Sequence, residues 1–285
     1  MKTQPRTLVI LRIGSDHRVS PWAKTPAAAR DWDLLLSPYD TIPDLDEFDP
    51  EYTHPVKGGK WDAIFHIFDA QPELLESYDY FWLPDDDIET TPDCPVRLVE
   101  IAHKNALQLC QPALKADSQF SHLITIRNRF TRLRFTNFVE LMAPLMTAGV
   151  LRKTLPHMRG RWAAHGLDYF WHRFAASGAS HTVAIIDAVQ VGHYRPKGKH
   201  LEERRRCPRK GEIGPLPSLF EKEASRNYCP VSIASPRIGF RSGLTLLSLM
   251  NLAASPVLWK RCNFGKILSH FGGQLFLSDW QGTRN

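Results

Sequence analysis

The chain has 285 residues, of which 43% are hydrophobic and 23% are charged, with 36 Lys and Arg against 30 Asp and Glu. This composition is typical of a folded globular protein and excludes a disordered chain, while the net charge of +6 suits anionic ligands without indicating DNA binding by itself. The five cysteines are widely spaced and include no Cys-x-x-Cys pair, which excludes a zinc knuckle and a disulfide framework.

The amino-terminal sequence MKTQPRTLVILRIG predicts neither a leader nor a membrane span. Its apolar run is interrupted at Arg12 and is too short for the core of a signal peptide. No uninterrupted stretch of about 20 apolar residues follows, as a membrane-spanning helix would need. We therefore expect a cytoplasmic protein, with attachment to the inner face of the cytoplasmic membrane as a further option.

Strand and helix patterns alternate over roughly the first 200 residues. In chain order, the predicted elements are a strand at Thr7–Ile13, a strand at 32–40, a helix at 59–75 broken before Pro72, a strand at 78–84, a helix at 95–107, a strand at 121–126, a helix at 134–151, a helix at 165–176 and a strand at 181–194. This alternation predicts an α/β sandwich around a mostly parallel sheet, formed by a domain of residues 1–200.

Residues 201–285 are predicted to form a basic linker and a carboxy-terminal extension. The stretch RPKGKHLEERRRCPRKGE after Tyr194 is rich in Lys and Arg and is typical of an exposed linker. It suits an anionic glycan or phospholipid headgroups, with Phe240–Trp259 as an amphipathic helix on the membrane surface. Alternatively, that later segment covers an open edge of the sheet. No nucleic-acid partner is predicted, because no known binding motif accompanies the charges.

In the segment FWLPDDDIETT, a strongly apolar strand runs straight into three carboxylates, Asp85, Asp86 and Asp87. Side chains two apart in a strand face the same side, so Asp85 and Asp87 can converge if the extended conformation persists. They would lie beyond the carboxyl end of the strand, where open α/β sheets bind ligands. Their oxygens suit Mg²⁺ or Mn²⁺. The alternative is a solvated acidic turn before a helix.

Several sequence blocks around this triplet form a recognisable series. In order, they are LRIGSDHRVSPW (11–22), WDLLLSPYD (32–40), KGGKWDAIF (57–65), YDYFWLPDDDI (78–88), QPAL (111–114), SHLIT (121–125), RFTNFVELMAPL (134–145), HGLDYFW (165–171) and IDAVQVGHYRPKG (186–198). Together they resemble a glycosyltransferase-like family of plants and bacteria, known as a domain of unknown function (number 707). The resemblance implies a GT-A type domain whose Asp-x-Asp motif binds the metal and the nucleotide diphosphate.

The resemblance also implies roles at the metal. Asp85 and Asp87 are the expected ligands, with Asp87 the direct one, whereas Asp85 and Asp86 are also expected to contact the sugar nucleotide. His193, at the end of the last strand, is a candidate further ligand, since imidazole is acceptable to Mn²⁺ but poor for Mg²⁺. The alternative for His193 is an ordinary surface residue.

Asp168 in HGLDYFW resembles the acidic residue that inverting GT-A enzymes use as a general base, which an acceptor hydroxyl needs. The alternative is an ordinary helix-start aspartate, stabilised by the macrodipole. A transfer that retains stereochemistry would not need this base.

The resemblance to GT-A folds implies that the end of the first strand contacts the nucleotide, and further candidates lie at the start of the first helix. The candidate residues are Arg12, Gly14, Ser15 and Asp16, together with Lys57 and Lys60 on either side of a Gly-Gly pair. Gly14 would permit close approach of the backbone, and lysines before a helix suit an anion. Solvated lysines are the alternative. Arg195 and Lys197 are further candidates to pair with phosphate oxygens.

These observations predict a metal-dependent, inverting glycosyltransferase that moves a sugar from a nucleotide-sugar donor to a saccharide or glycolipid acceptor, as in cell-surface polysaccharide synthesis. Two alternatives stay open. One is a nucleotidyl or phosphoryl transferase, which also uses paired carboxylates and a divalent ion. The other is a non-catalytic carbohydrate-binding protein of the same fold.

Overall fold

A computed structural model describes residues 4–19, 22–42, 45–136, 138–161, 164, 166–169, 171–175, 181–195, 250–251, 254–255 and 257–258. Its strands are β1 (Thr7–Ile13), β2 (Asp33–Pro38), β3 (Tyr52–Thr53), β4 (Tyr80–Trp82), β5 (Ile88–Glu89), β6 (Leu109–Leu114), β7 (Arg134–Phe135), β8 (Leu145–Thr147) and β9 (Val183–His193). Its α-helices are α1 (Lys60–Ala70), α2 (Leu74–Ser77), α3 (Cys94–Lys104) and α4 (Ala148–Thr154).

The strands form one sheet in the order β3-β2-β1-β4-β8-β6-β9-β5, and β7 also pairs with β9. β1 is parallel to β2 and β4, β2 is parallel to β3, and β6 is parallel to β9. β8 lies antiparallel between β4 and β6, and β5 and β7 are antiparallel to β9. The carboxyl ends of β1, β2, β4, β6 and β9 therefore meet at one edge. The predicted α/β sandwich around a mostly parallel sheet is confirmed.

Both faces of the sheet are covered, which explains why β1 is buried along its whole length and is mostly apolar. Leu8 and Ile10 belong to the core cluster that includes side chains of α1, α2 and α4. Val9 and Leu11 point to the opposite face and belong to the cluster that includes side chains of α3. Alternation along a single strand thus joins two cores through the sheet.

Helix α1 begins directly after Gly59 and ends before Pro72, where the sequence predicted a break. Its Trp61, Ile64 and Phe68 recur at helical spacing and are all buried against the sheet. The predicted strands that became β1, β2, β4 and β9 and the predicted helix that became α3 are likewise confirmed.

The helix predicted over 134–151 is wrong. The segment holds β7, then an irregular stretch, then β8, and becomes α-helical only from Ala148. Pro144 directly precedes β8, and its carbonyl accepts a hydrogen bond from Leu83 N at 2.9 Å. Leu145 and Met146 lie in different core clusters, as alternate residues of a strand do. The apolar residues recur near helical spacing because the stretch runs through the core and contributes to both core clusters.

Two further predictions need correction. The strand expected at 121–126 is a 3-10 helix, Leu123–Thr125, followed by a single bridge from Ile126 to Leu114. The helix expected at 165–176 is represented, in the residues described, by two 3-10 helices, Leu167–Tyr169 and Trp171–Phe174.

Strand β6 was missed because Pro112 interrupts its pattern. Proline within a strand favours an irregularity, and the β6–β9 register shifts between Pro112 and Ala113. The shift occurs opposite residues 187–189 of β9, where Asp187 takes part in a buried ion pair.

The predicted basic linker beyond Arg195 lies outside the described residues, and the domain boundary at residue 200 stays a prediction. Of the predicted segment Phe240–Trp259, the described residues include Leu258, which is 2% exposed and belongs to the main core cluster. This favours the packed alternative for that residue. None of the helices described is long and apolar enough to cross a membrane.

Candidate functional site

The acidic triplet follows β4 at the sheet edge where the parallel strands end. Asp85 N donates to Met142 O at 2.7 Å, and Ile88 N donates back to Asp85 O at 3.2 Å, which closes a turn. Asp86 and Asp87 occupy this turn. The extended conformation expected for the triplet therefore does not persist, and the side chains contact different partners.

Asp85 is paired with Lys60, the first residue of α1. The ammonium Nζ donates to Asp85 Oδ1 at 2.6 Å, to Leu83 O at 2.6 Å and to Leu141 O at 3.0 Å. Burial raises the pKa of Asp85, and Lys60 opposes that shift. Burial lowers the pKa of Lys60 despite the nearby carboxylates. The Lys60 ammonium group thus donates its hydrogen bonds within the chain. Its predicted contact with a nucleotide stays a prediction.

Asp86 joins the ends of three strands. Its Oδ2 accepts from Gly14 N at 3.2 Å and from the Tyr39 hydroxyl at 2.7 Å, while Oδ1 accepts from Arg195 Nη1 at 3.0 Å. Because Gly14, Tyr39 and Arg195 follow β1, β2 and β9, the buried carboxylate aligns the loops that surround the site. Its expected contact with the nucleotide is untested by this geometry.

Gly14 is needed for the position of Tyr39. A Cβ at residue 14 would lie 2.3 Å from the Tyr39 ring, far inside van der Waals contact. Close approach of a side chain within the protein is therefore one reason for glycine here, beside the predicted approach of a ligand. Tyr39 was missed as a site residue, although it lies within the block WDLLLSPYD.

Asp87 faces His193. Asp87 Oδ2 lies 3.1 Å from His193 Nε2, and their side chains are 5% and 14% exposed. His193 Nδ1 lies 3.0 Å from Gln119 O, so both ring nitrogens face acceptors and the ring is an imidazolium. Burial opposes this charge, but the hydrogen bond to Asp87 raises the pKa of His193 to about 9. Burial would raise the pKa of Asp87, yet the bond from His193 lowers it.

The Asp87–His193 pair fits a divalent cation. Asp87 Oδ1 is buried and has no hydrogen-bond partner among the described residues, which leaves one hard oxygen ligand, whereas His193 Nε2 would become a ligand only on losing its proton and its contact with Asp87. The three predicted metal ligands do not converge: Asp85 is paired with Lys60, and the described part of the chain holds no group of three or more His, Cys, Asp or Glu suited to a metal. A cation here would draw its other ligands from substrate and water.

Arg195 completes the neutralisation of the triplet. Besides Asp86, its Nη2 donates to Asp16 O at 2.6 Å, and its Nε lies 3.7 Å from Asp87 Oδ2. Three cationic side chains thus face three carboxylates, which accounts for an acidic run at the end of an apolar strand. Lys197 lies outside the described residues, and pairing of Arg195 with phosphate stays a prediction.

Arg12 has a structural task in this geometry. It is 3% exposed, and its guanidinium donates to Ser37 O at 3.1 Å, Val56 O at 2.7 Å and Gly58 O at 2.8 Å. Burial lowers the pKa of Arg12 to about 10. The side chain therefore positions the loop that leads into α1, and the direct nucleotide contact predicted for it stays a prediction.

The other predicted nucleotide-binding residues lie on exposed loops. Lys57 is exposed, Ser15 Oγ donates to Asp40 Oδ2 at 2.7 Å, and Asp16 meets Arg195 through its carbonyl. Their roles toward a ligand stay predictions.

His193 is further positioned by Ser118, whose Oγ accepts from His193 N at 3.2 Å. Ser118 was missed because no motif marks it.

Asp168 lies in the 3-10 helix Leu167–Tyr169 and is 6% exposed. The neighbouring Trp171 packs edge-on against Trp61, with ring centroids 5.7 Å apart. Because Trp61 follows Lys60 at the start of α1, the Asp168 segment is packed against the helix end that holds Asp85. The predicted role as base stays a prediction.

Residues 56–137 match the model of a family described as "Protein of unknown function (DUF707)". This segment includes Lys60 and the acidic triplet, and the resemblance predicted from the motifs is confirmed. No curated protein matches the chain in sequence.

Solved structures show distant similarity. S. aureus TarS is 7% identical with a TM-score of 0.43, over 71% of this chain and 38% of that one. S. aureus TarS 1-349 in complex with UDP-GlcNAc is 8% identical with a TM-score of 0.44, over 69% and 60%. A197 from STIV is 13% identical with a TM-score of 0.38, over 67% and 86%. The chain thus spans less than two thirds of either TarS structure, and functional assignment depends on its own residues.

Proposed function

We propose that the protein is a GT-A type glycosyltransferase that binds a divalent cation, Mn²⁺ in preference to Mg²⁺, and a nucleotide-sugar donor. The observation that supports this best is the buried Asp87–His193 pair at the carboxyl edge of the sheet, where one carboxylate oxygen has no hydrogen-bond partner in the part of the chain that the structure describes. A carboxylate and an imidazole are ligands that Mn²⁺ accepts together. The acceptor is a saccharide or a glycolipid.

In this proposal, Asp87 and His193 would hold the cation, which neutralises charge that develops on the departing diphosphate. An imidazole binds a metal only after losing the proton from the ligating nitrogen, so binding would release a proton from His193 and strengthen as pH rises. Lys60 holds Asp85 in a separate ion pair. Asp86 keeps the surrounding loops in register, which reduces reorganisation when substrate binds.

Asp168 is the proposed general base of an inverting transfer. It would accept the proton of the acceptor hydroxyl as that oxygen attacks the sugar. Its support is the burial of the carboxylate and the packing of its segment against the start of α1.

The function is tested by incubating the full chain with UDP-, GDP- and CMP-sugars, with and without Mn²⁺. We expect one donor to raise the melting temperature strongly only with Mn²⁺, because a ligand at about 100 times its Kd stabilises the fold by roughly 2.7 kcal/mol. With an acceptor, release of nucleoside diphosphate, or of CMP from a CMP-sugar, supports sugar transfer. Release of pyrophosphate would favour nucleotidyl transfer, and saccharide binding without a donor would favour the non-catalytic alternative.

For the base, we expect Asp168→Asn to lower kcat by about 10²–10⁴-fold while the affinity for the donor is unchanged, since the amide keeps the shape but cannot take a proton. Initial rates and donor titrations measure both quantities. Asp69→Asn, at an exposed position of α1, is the matched control. A kcat equal to that of the unmodified protein would exclude Asp168 as the base.

A further inference from the structure

The loop 127–132 exposes an unusual combination of side chains. Arg127, Arg129, Phe130 and Arg132 are all exposed, and Phe130 retains 42% of its accessible surface. The loop begins at the carboxyl end of β6, where Arg127 N donates to Leu114 O at 2.8 Å. It therefore starts from the same sheet edge as the acidic triplet.

This loop is held from beneath by Asp187, which is 1% exposed. Asp187 accepts from Asn128 N at 2.8 Å, from Thr131 Oγ1 at 2.7 Å and from Arg134 Nε at 2.7 Å. Phe130 N donates to Asn128 Oδ1 at 2.9 Å. Hydrogen bonds hold the loop backbone on both sides of Phe130. The ring of Phe130 is therefore exposed because of how this backbone is held.

A second segment docks beside the loop. Asn251 Oδ1 accepts from Arg129 N at 3.1 Å, and Asn251 Nδ2 donates to Arg127 O at 2.9 Å. These bonds use the arginine backbones and leave their side chains outside. Ala254 N donates to Met250 O at 2.9 Å, as in a helical turn.

This docked segment adds apolar surface. Leu258 is buried, whereas Met250 and Val257 are 43% and 44% exposed. Together with Phe130, they are the large hydrophobic side chains that are exposed in the described parts of the chain. All three thus belong to one loop and the segment docked on it. We name Arg127, Arg129, Phe130, Arg132, Met250 and Val257 the arginine–apolar surface.

We infer that the arginine–apolar surface binds an anionic lipid bilayer. Arginines beside apolar side chains match the two layers of such a bilayer, because headgroup phosphates attract the guanidinium groups and the hydrocarbon boundary accepts Phe130, Met250 and Val257. A nucleic acid could stack a base on Phe130 but would leave the aliphatic Met250 and Val257 without a partner. A symmetric contact between two copies would bring the arginines of both together. This surface acts independently of sugar transfer.

Co-sedimentation of the full chain with lipid vesicles tests this surface. We expect binding to vesicles of phosphatidylcholine mixed with phosphatidylglycerol, little binding to phosphatidylcholine alone, and weakening by salt. Replacing Arg127, Arg129 and Arg132 by glutamine should lower the partition coefficient about 100-fold, since each basic residue near an anionic surface contributes about fivefold. Phe130→Ser should lower it about 10-fold.

Matched variants distinguish this site from general charge. Replacing the exposed Arg97, Arg152 and Arg159 by glutamine removes the same charge elsewhere and should leave binding unchanged. Thermal melts check that each variant is folded. The inference is overturned if the unmodified chain does not bind anionic vesicles. The same holds if the two triple variants lose binding to the same extent, or if both bind as well as the unmodified chain. It is also overturned if Phe130→Ser binds vesicles normally, which would indicate recognition of polyanions alone.

Discussion

The Asp87→Ala protein is expected to lose Mn²⁺-dependent sugar transfer by at least about 10³-fold, because a metal ion supplies several kcal/mol of stabilisation to the developing charge. Of the two Asp87 carboxylate oxygens, Oδ2 faces His193, and Oδ1 is buried without a hydrogen-bond partner among the residues described. Without this carboxylate, the imidazole alone would hold the cation. Turnover with the matching nucleotide-sugar and calorimetric titration with Mn²⁺ should both show the loss.

The Asp87→Asn variant separates this effect from packing. The amide keeps the volume and one acceptor oxygen for His193, so the fold is preserved while the ligand charge is lost. Asp93→Ala, at an exposed position before α3, is the control for general loss of an acid and should retain turnover and Mn²⁺ affinity. If Asp87→Asn kept full Mn²⁺ affinity and turnover, the cation would have to bind elsewhere.

The second large effect is on stability. Asp187→Ala should lower the free energy of unfolding by about 3–5 kcal/mol, because it leaves the Arg134 charge buried without its counter-ion. Arg134 is 4% exposed, and its Nε and Nη2 donate to Asp187 at 2.7 and 2.9 Å. Chemical denaturation measures the change.

A double variant, Arg134→Met with Asp187→Leu, should recover part of that stability, since it leaves no charge unpaired but removes the acceptor of Asn128 N and Thr131 Oγ1. The exposed pair Arg97–Asp93 is the matched comparison, and Asp93→Ala should cost less than about 1 kcal/mol. Equal losses at the buried and the exposed pair would show that burial of Asp187 does not matter for its energetic role.

The sequence was informative about the fold where one local pattern dominates. β1 and β9 are rich in aliphatic and β-branched residues, and α1 combines a glycine start, helical spacing and a proline after its end. The sequence misled over 134–151, because apolar residues are frequent on all sides of this mostly buried segment and its period is then ambiguous. The true strand of three residues, Leu145–Thr147, is defined by its antiparallel neighbours β4 and β6, which lie far away in the chain.

At the site, the sequence predicted one of the pairings between charged side chains but not the others. Asp87 and His193 were expected to lie together, and they do, although 106 positions separate them in the sequence. The sequence did not predict that Asp85 pairs with Lys60, because Lys60 was expected to bind an anionic ligand. Gln119 acts through its backbone carbonyl, for which no side-chain signal exists. Tertiary pairing of this kind depends on which loops the sheet order brings together.

The position of β9 in the chain has a consequence for biosynthesis. His193 and Arg195 reach the acidic turn only when this last described strand has paired with β6, far upstream. Until then, Asp86 and Asp87 of the growing polypeptide would lack the cationic side chains that pair with them. Competence to bind ligand should therefore appear late and all at once, when the sheet closes, and not gradually as the ribosome extends the chain.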